Sequence, residues 1–267
     1  MNTPSSSVQS VLTPGGGADD SDEPKGILPL LDQLLRQRDG FFDVIFEGRN
    51  LGSRLRSFLL IILVLSAFYG MTMGAIGLTQ GVPRGLQQML SSAVKVPLLF
   101  LASLAVCYPV LYIVLVLMGV RLGFAQTLSL IFMALSLNSL LLASCAPITL
   151  FFALTGANYD FVKLLHVVTF AFSASWAMMA LWKGLQTMCE KSDLYPRQAI
   201  RILQVWVLVF GFVGTQVAWS LRPFVGSPGL EFQVLRMEQK GNFYEAVWSS
   251  VVALKKGNPD PGRNPPR

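Results

Sequence analysis

The sequence predicts an all-α protein, a polytopic transmembrane helical bundle of about five spans with flanking amphipathic interfacial helices. Five long apolar stretches each reach or approach the roughly 20 residues that a helix needs to cross a 30 Å hydrocarbon core. Of the 267 residues, 52% are hydrophobic and 13% charged, too few charges to cover a soluble globule. No Asp or Glu occurs from Gly48 through Tyr159.

The distribution of charged residues along the chain disfavours several functional classes. The missing carboxylates disfavour proton pumps and cation-coupled carriers, which use such groups inside the membrane. The net charge of +6 comes from Lys and Arg that cluster beside the apolar stretches. Basic residues at such positions set topology and contact anionic headgroups, so we expect membrane lipid as a partner and no nucleic acid.

The amino-terminal region contains two predicted segments. Residues 1–25 are rich in Ser, Pro, Gly and acid, which predicts a disordered cytoplasmic tail. Residues 26–48 carry apolar side chains at helical spacing, which indicates an amphipathic interfacial segment. A helix packed on the protein's own loops remains the alternative. The acidic start lacks an apolar h-region, so a cleaved signal peptide is not expected.

The transmembrane bundle is predicted over residues 49–222. Its spans are expected at about 57–79, 96–120, 125–146 with an extension to 156, 161–182 and 200–221. We expect the second span to begin at Lys95 and Pro97, where a missing N–H costs little, and to kink at Pro109.

The stretch Leu122–Tyr159 leaves alternatives open. As one helix its 38 residues would extend about 57 Å, nearly twice the hydrocarbon thickness. Pro147 offers a break, but the apolar remainder is too short for another crossing. One span followed by a kinked extension or a re-entrant turn is therefore favoured over two spans.

Basic residues near the span ends predict the orientation. With the amino terminus in the cytoplasm, nine lie inside and six outside. The inside set is Arg38, Arg49, Arg54, Arg56, Arg121, Lys183, Lys191, Arg197 and Arg201, and the outside set is Arg84, Lys95, Lys163, Arg222, Arg236 and Lys240.

Glycine spacing predicts close helix packing. Gly70 and Gly74 have GxxxG spacing and Gly77 follows one turn later, so a neighbouring helix can approach their backbone. We favour a neighbour in the same bundle over a homodimer. Gly211 and Gly214 are the corresponding candidates in the last span, whose Gln204 and Gln216 fit helix packing better than an aqueous path.

Candidate polar contacts begin at the fourth span. His166, the only histidine, lies one turn from Lys163 and near Asp160 and Tyr159, and Asn158 is a further polar candidate. These residues are either a proton or ligand site, or interfacial groups that hydrogen-bond to neighbouring helices and headgroups. We favour the second interpretation. The spans contain no motif for catalysis, for a cofactor or for a metal.

The carboxyl-terminal region, residues 223–256, is predicted as a loop and an amphipathic helix. Arg222 and the prolines after it indicate a defined loop. Asn242 and Glu245 have capping-box spacing, and Phe243, Tyr244 and Trp248 begin one helical face. We expect this helix to dock on the membrane surface or on a partner. Residues 257–267 are predicted to be a disordered tail.

A family resemblance covers most of residues 50–255. These stretches resemble uncharacterised bacterial polytopic inner-membrane proteins, and the five-span layout is similar to that of the Yip-type (Rab-interacting) membrane proteins. The residues that carry it are Lys95–Phe100, Cys107–Pro109, Ala146–Phe152, Asn158–Tyr159, Trp219–Pro228 and Gly241–Tyr244. The Yip-type likeness implies membrane organisation or trafficking-like scaffolding, and supplies no catalytic residue.

The functional expectation follows from these features. The chain is expected to be a non-enzymatic scaffold or an accessory subunit of a complex in the bacterial inner membrane, with other membrane proteins or a second copy as partners besides lipid. The alternative is a carrier or channel for a neutral or anionic small solute, which would use the break near Pro147 and the polar residues from Asn158 to His166.

Overall fold

The computed structural model describes residues 51–117, 123–155, 158–191, 198–225 and 241–255, and these form helices and short connections without any strand. The all-α prediction is confirmed. The α-helices are α1 (Leu51–Gly74), α2 (Val82–Leu117), α3 (Phe124–Leu154), α4 (Tyr159–Lys191), α5 (Gln198–Ser220) and α6 (Phe243–Lys255), with a 3₁₀ helix at Ala75–Gln80.

Five segments of the described chain are long and apolar enough to cross a membrane, so the protein is a multi-pass membrane protein. They are Leu51–Leu78, Val82–Leu117, Phe124–Leu154, Tyr159–Lys183 and Arg201–Ser220. The predicted segments 1–25, 26–48 and 257–267 lie outside the described residues.

Helix α1 is the centre of the bundle. It packs on α2 and α3, while α4 packs on α3, α5 on α2, and α6 on α4 and α5. Phe58, Ile61 and Ile62 of α1 are almost completely buried, and Tyr69 continues the same face. Because their spacing follows the helical period, one stripe of α1 fills the interior.

Helix α2 starts earlier than its sequence indicates. The predicted span began at 96, with Lys95 and Pro97 at its start, whereas α2 begins at Val82 and contains Pro97 and Pro109 in its interior. Its 36 residues extend about 54 Å, more than a bilayer core requires. The early part is held as helix by α1, whose glycines pack along it.

Helix α3 runs without interruption through Pro147 to Leu154. The residues after Ala146 therefore extend the helix, and they form neither a re-entrant turn nor a second span. Burial explains the continuity, because Ala146, Thr149 and Ala153 are all almost fully enclosed by neighbouring helices. Tertiary packing of this kind holds proline within membrane helices.

Candidate functional site

A buried tyrosine and the histidine form the first polar contact of the bundle. Tyr69 of α1 and His166 of α4 are 0% and 2% exposed, and the Tyr69 hydroxyl lies 2.9 Å from His166 Nδ1. The rings meet edge to face with centroids 5.6 Å apart, and Phe170 contacts Tyr69 in the same way. His166 Nε2 is buried and has no hydrogen-bond partner among the described residues.

Two threonines lie one turn further along. Thr72 of α1 and Thr149 of α3 are buried, with their hydroxyl oxygens 3.4 Å apart. Each also donates within its own helix, Thr72 to the Tyr69 carbonyl at 2.7 Å and Thr149 to the Ala146 carbonyl at 3.0 Å. One turn of α1 thus makes polar contacts with both α3 and α4.

A second polar feature, which we call the donor stripe, consists of Gln88, Ser92 and Lys95 on one face of α2. All three side chains are buried, and all point to the loop after α5. Lys95 Nζ donates to the Pro223 carbonyl at 2.8 Å, and Ser92 Oγ donates to the Phe224 carbonyl at 2.5 Å. Gln88 Nε2 donates to both carbonyls, at 3.1 and 2.8 Å.

The donor stripe supplies hydrogen-bond donors to backbone carbonyls in the loop after α5. The carbonyls of Pro223 and Phe224 lie beyond the end of α5, so this helix supplies no N–H for them. Leaving such groups unpaired beside the hydrocarbon core would cost several kcal/mol. Lys95 also lies 5.9 Å from the Phe224 ring, and Val225 is buried behind it. The stripe therefore fixes the end of α5 against α2.

A hydrogen bond near the start of α5 also joins this helix to α2. The Trp206 indole N–H donates to the Cys107 carbonyl at 2.9 Å, and both residues are buried. Helix α5, which is otherwise the least enclosed span, is thus held to α2 by directed hydrogen bonds at two levels.

The predicted packing glycines differ in their surroundings. A Cβ on Gly74 would lie 2.6 Å from the Met89 backbone, and one on Gly70 would lie still closer to the Ser92 carbonyl. A Cβ on Gly77 would lie 3.1 Å from Gly85 Cα, so all three glycines pack on α2 of the same chain.

The glycines of α5 are less enclosed. A Cβ on Gly214 would lie 3.8 Å from Ser103 Oγ of α2. At Gly211 a Cβ would meet none of the described residues within 4 Å. Within the described part of the chain, Gly211 therefore faces away from the other helices.

The polar residues at the start of α4 separate into independent contacts. Asn158 accepts the Asp160 backbone N–H at 2.8 Å and so caps the helix. Lys163 forms an ion pair with Asp160 at 3.2 Å and lies 5.1 Å above the Tyr159 ring. His166 instead contacts Tyr69 of α1, so the structure does not bring His166 and the other predicted polar residues together in one site.

At the other end of the bundle, Arg222 stacks on Trp219, with its guanidinium carbon 3.2 Å from the ring centroid. The capping box of α6 is confirmed. Glu245 N–H donates to Asn242 Oδ1 at 2.9 Å, and Asn242 N–H donates to Glu245 Oε2 at 3.3 Å.

Two of the three aromatic residues of α6, Tyr244 and Trp248, are exposed, and Phe243 is half-buried. Phe243 and Tyr244 meet edge to face at 5.7 Å, and the Tyr244 hydroxyl lies 3.3 Å from Thr215 Oγ1 of α5. Trp248, one turn further, is mostly exposed.

Sequence reasoning missed Tyr69 and the donor stripe. Gln88, Ser92 and Lys95 repeat at i, i+4 and i+7, a spacing that places them on one face of a helix and was available as a signal. The signal was missed because the second span was expected to begin at Lys95, which left Gln88 and Ser92 between two predicted spans. For Tyr69 no local pattern exists, since its partner lies 97 positions away.

Comparisons with known proteins add no relative: no family model, curated protein or solved structure matches this chain.

Proposed function

We propose that the chain is a non-enzymatic integral membrane protein that serves as a scaffold or as an accessory subunit of a membrane complex. The observation that carries this proposal is that these buried polar side chains form hydrogen bonds with other parts of the same chain. Lys95, Gln88 and Ser92 hold the chain's own carbonyls, and Tyr69 holds His166. A bundle fixed in this way fits a static structural role better than a moving solute path.

The surface available to a partner lies on α5. In the most apolar 18-residue segment of this span, 11% is buried inside the bundle, whereas 33% to 61% is buried in the corresponding segments of the other four spans. Leu208 and Phe212 are exposed beside Gly211, which leaves room for a close helix approach. We propose that a helix of another membrane protein, or of a second copy, packs on this face.

The proposed location is the bacterial inner membrane with the amino terminus in the cytoplasm. Its support is the excess of Lys and Arg on that side of the spans. The proposed resemblance to Yip-type proteins agrees with a scaffolding role, and it stays a prediction.

Photo-crosslinking tests the scaffold proposal. A photoreactive amino acid at Leu208, which is 75% exposed, is compared in native membranes with one at Val110, which is 59% exposed and lies on α2. We expect a discrete protein adduct from position 208, none from position 110, and loss of the adduct when Gly211→Leu fills the face. Lipid adducts alone at both positions would overturn the proposal.

A carrier or channel for a neutral or anionic small solute is the second candidate. It is favoured by the buried His166 Nε2, which has no hydrogen-bond partner within the described part of the chain, on a ring whose Nδ1 lies 2.9 Å from the Tyr69 hydroxyl. Purified protein in vesicles is tested by osmotic light scattering with a neutral polyol and an inorganic anion. Flux that disappears in His166→Leu would support the carrier and contradict the scaffold.

A further inference from the structure

Helix α6 lies beside the last turns of α5. It packs on α4 and α5, and the Tyr244 hydroxyl lies 3.3 Å from Thr215 Oγ1. Thr215 is five residues before the end of α5 at Ser220, a distance of about 7.5 Å along the axis. The start of α6 therefore lies beside the final turns of this apolar span, about 7.5 Å inside its end.

The side chains of α6 divide into three faces. At about 100° per residue, Ala246 and Ser250 point to the bundle, and Ser250 is buried. Tyr244, Trp248 and Val251 form a second face, which we call the aromatic stripe, and are 51%, 70% and 41% exposed.

The third face of α6 is polar. Glu245 and Ser249 form it, and both are exposed. The three faces are separated by roughly a third of a turn each. A helix that lies in the corner between a bundle and a membrane surface needs one face for protein, one for lipid and one for water, and α6 has all three.

The aromatic stripe lies next to an exposed apolar surface of α5. Thr215, which Tyr244 contacts, shares a face of α5 with Phe212 and Leu208, and these two are 56% and 75% exposed. Tyr and Trp side chains favour the headgroup level, where the ring is apolar and its polar atom stays hydrated. Lys255 at the end of the same side can reach anionic headgroups.

We infer that α6 is a half-embedded interfacial helix whose Tyr244–Trp248–Val251 stripe inserts into the lipid leaflet beside α5. With 13 residues it is about 20 Å long, too short to cross. The occupant of the stripe is bilayer lipid. This inference does not depend on the proposed scaffold role.

Spin labels at two adjacent positions test the insertion. Trp248→Cys and Ser249→Cys are labelled in full-length protein whose three native cysteines are replaced by alanine, in vesicles of three parts phosphatidylethanolamine to one part phosphatidylglycerol. Ser249 is the matched control because it is exposed on the polar face. We expect the ratio of oxygen to nickel-chelate collisions to be several-fold higher at 248 than at 249.

Two results would overturn the inference. Equal nickel accessibility at both positions would place the stripe in water, and exclusion of both reagents at 248 would mean that a second copy or another protein covers it. Quenching by brominated lipids checks the result with native cysteines retained. Trp248→Phe should lower the quenched fraction of tryptophan fluorescence, and an unchanged fraction would also contradict the insertion.

Discussion

The ammonium group of Lys95 lies 2.8 Å from the carbonyl oxygen of Pro223, and the two residues are 128 positions apart in the chain. This contact joins the middle of α2 to the loop that ends α5. It explains how a lysine is buried in an apolar helix, because its ammonium group donates a hydrogen bond to a carbonyl that lies beyond the end of α5. The first prediction concerns this pair.

Replacing Lys95→Met removes the charged donor and keeps an apolar side chain of similar length. We expect the free energy of unfolding to fall by about 1.5–3 kcal/mol, the usual range for a hydrogen bond to a charged group. Lys163→Met is the matched control. Its ion pair with Asp160 is partly exposed, so its loss should cost about 0–1 kcal/mol.

Denaturant unfolding in mild detergent measures both lysine variants. A second readout is thiol labelling of Val225→Cys, a buried position of the same loop, which should react faster when Lys95 is replaced. Equal stability of Lys95→Met and wild type, with unchanged labelling, would show that the donor stripe does not hold the loop.

Gly74→Ala tests the contact between α1 and α2. The new Cβ would lie 2.6 Å from the Met89 backbone, so the helices must separate, and overpacking of this kind costs about 1–3 kcal/mol. Gly211→Ala is the control because its Cβ meets open space among the described residues. There the higher helix propensity of alanine should leave thermal stability equal or raised. The reverse order of the two melting temperatures would contradict the packing.

The Tyr69–His166 pair predicts energetic coupling. Tyr69→Phe leaves His166 Nδ1 without its partner, and His166→Leu takes the partner from Tyr69, so each change should cost about 1–3 kcal/mol. The double variant places two apolar side chains together and should cost less than the sum. A double-mutant cycle on unfolding free energies measures a coupling of about 0.5–3 kcal/mol. Strict additivity would mean that the pair contributes nothing.

Asn242→Ala tests the start of α6. The side chain satisfies the Glu245 N–H, and loss of such a cap costs about 1 kcal/mol. We expect faster amide hydrogen exchange over Phe243–Lys255 and unchanged exchange in α1. Ser249→Ala, on the exposed polar face of the same helix, is the control. Equal exchange in the two variants would exclude a role for the cap.

The sequence predicted those features that depend on local patterns. Span length and apolar content were sufficient for the five crossings, and capping-box spacing was sufficient for Asn242 and Glu245. Lys95 and Pro97 misled the assignment of α2, because a charge and a proline usually mark a span end. The helix continues there since Gly70 and Gly74 of α1 pack along it, and that contact is tertiary.

The polar contacts could not be predicted for a related reason. In the sequence alone, nothing distinguishes Gln88, Ser92 and Lys95 from ordinary interfacial residues. Their role is seen only from their contacts with the loop that begins at Pro223. His166 likewise has polar neighbours in sequence, yet its hydrogen bond goes to another helix. Which of several possible partners a buried polar group takes is decided by helix packing.

The five-span topology is the central claim, and a paired reporter experiment tests it most directly. One reporter of membrane side is fused before Met1 and, in a separate chain, the same reporter is fused after Lys255. An odd number of crossings predicts that the two fusions report opposite sides of the membrane. If both report the same side, the number of crossings is even and the five-helix account is contradicted.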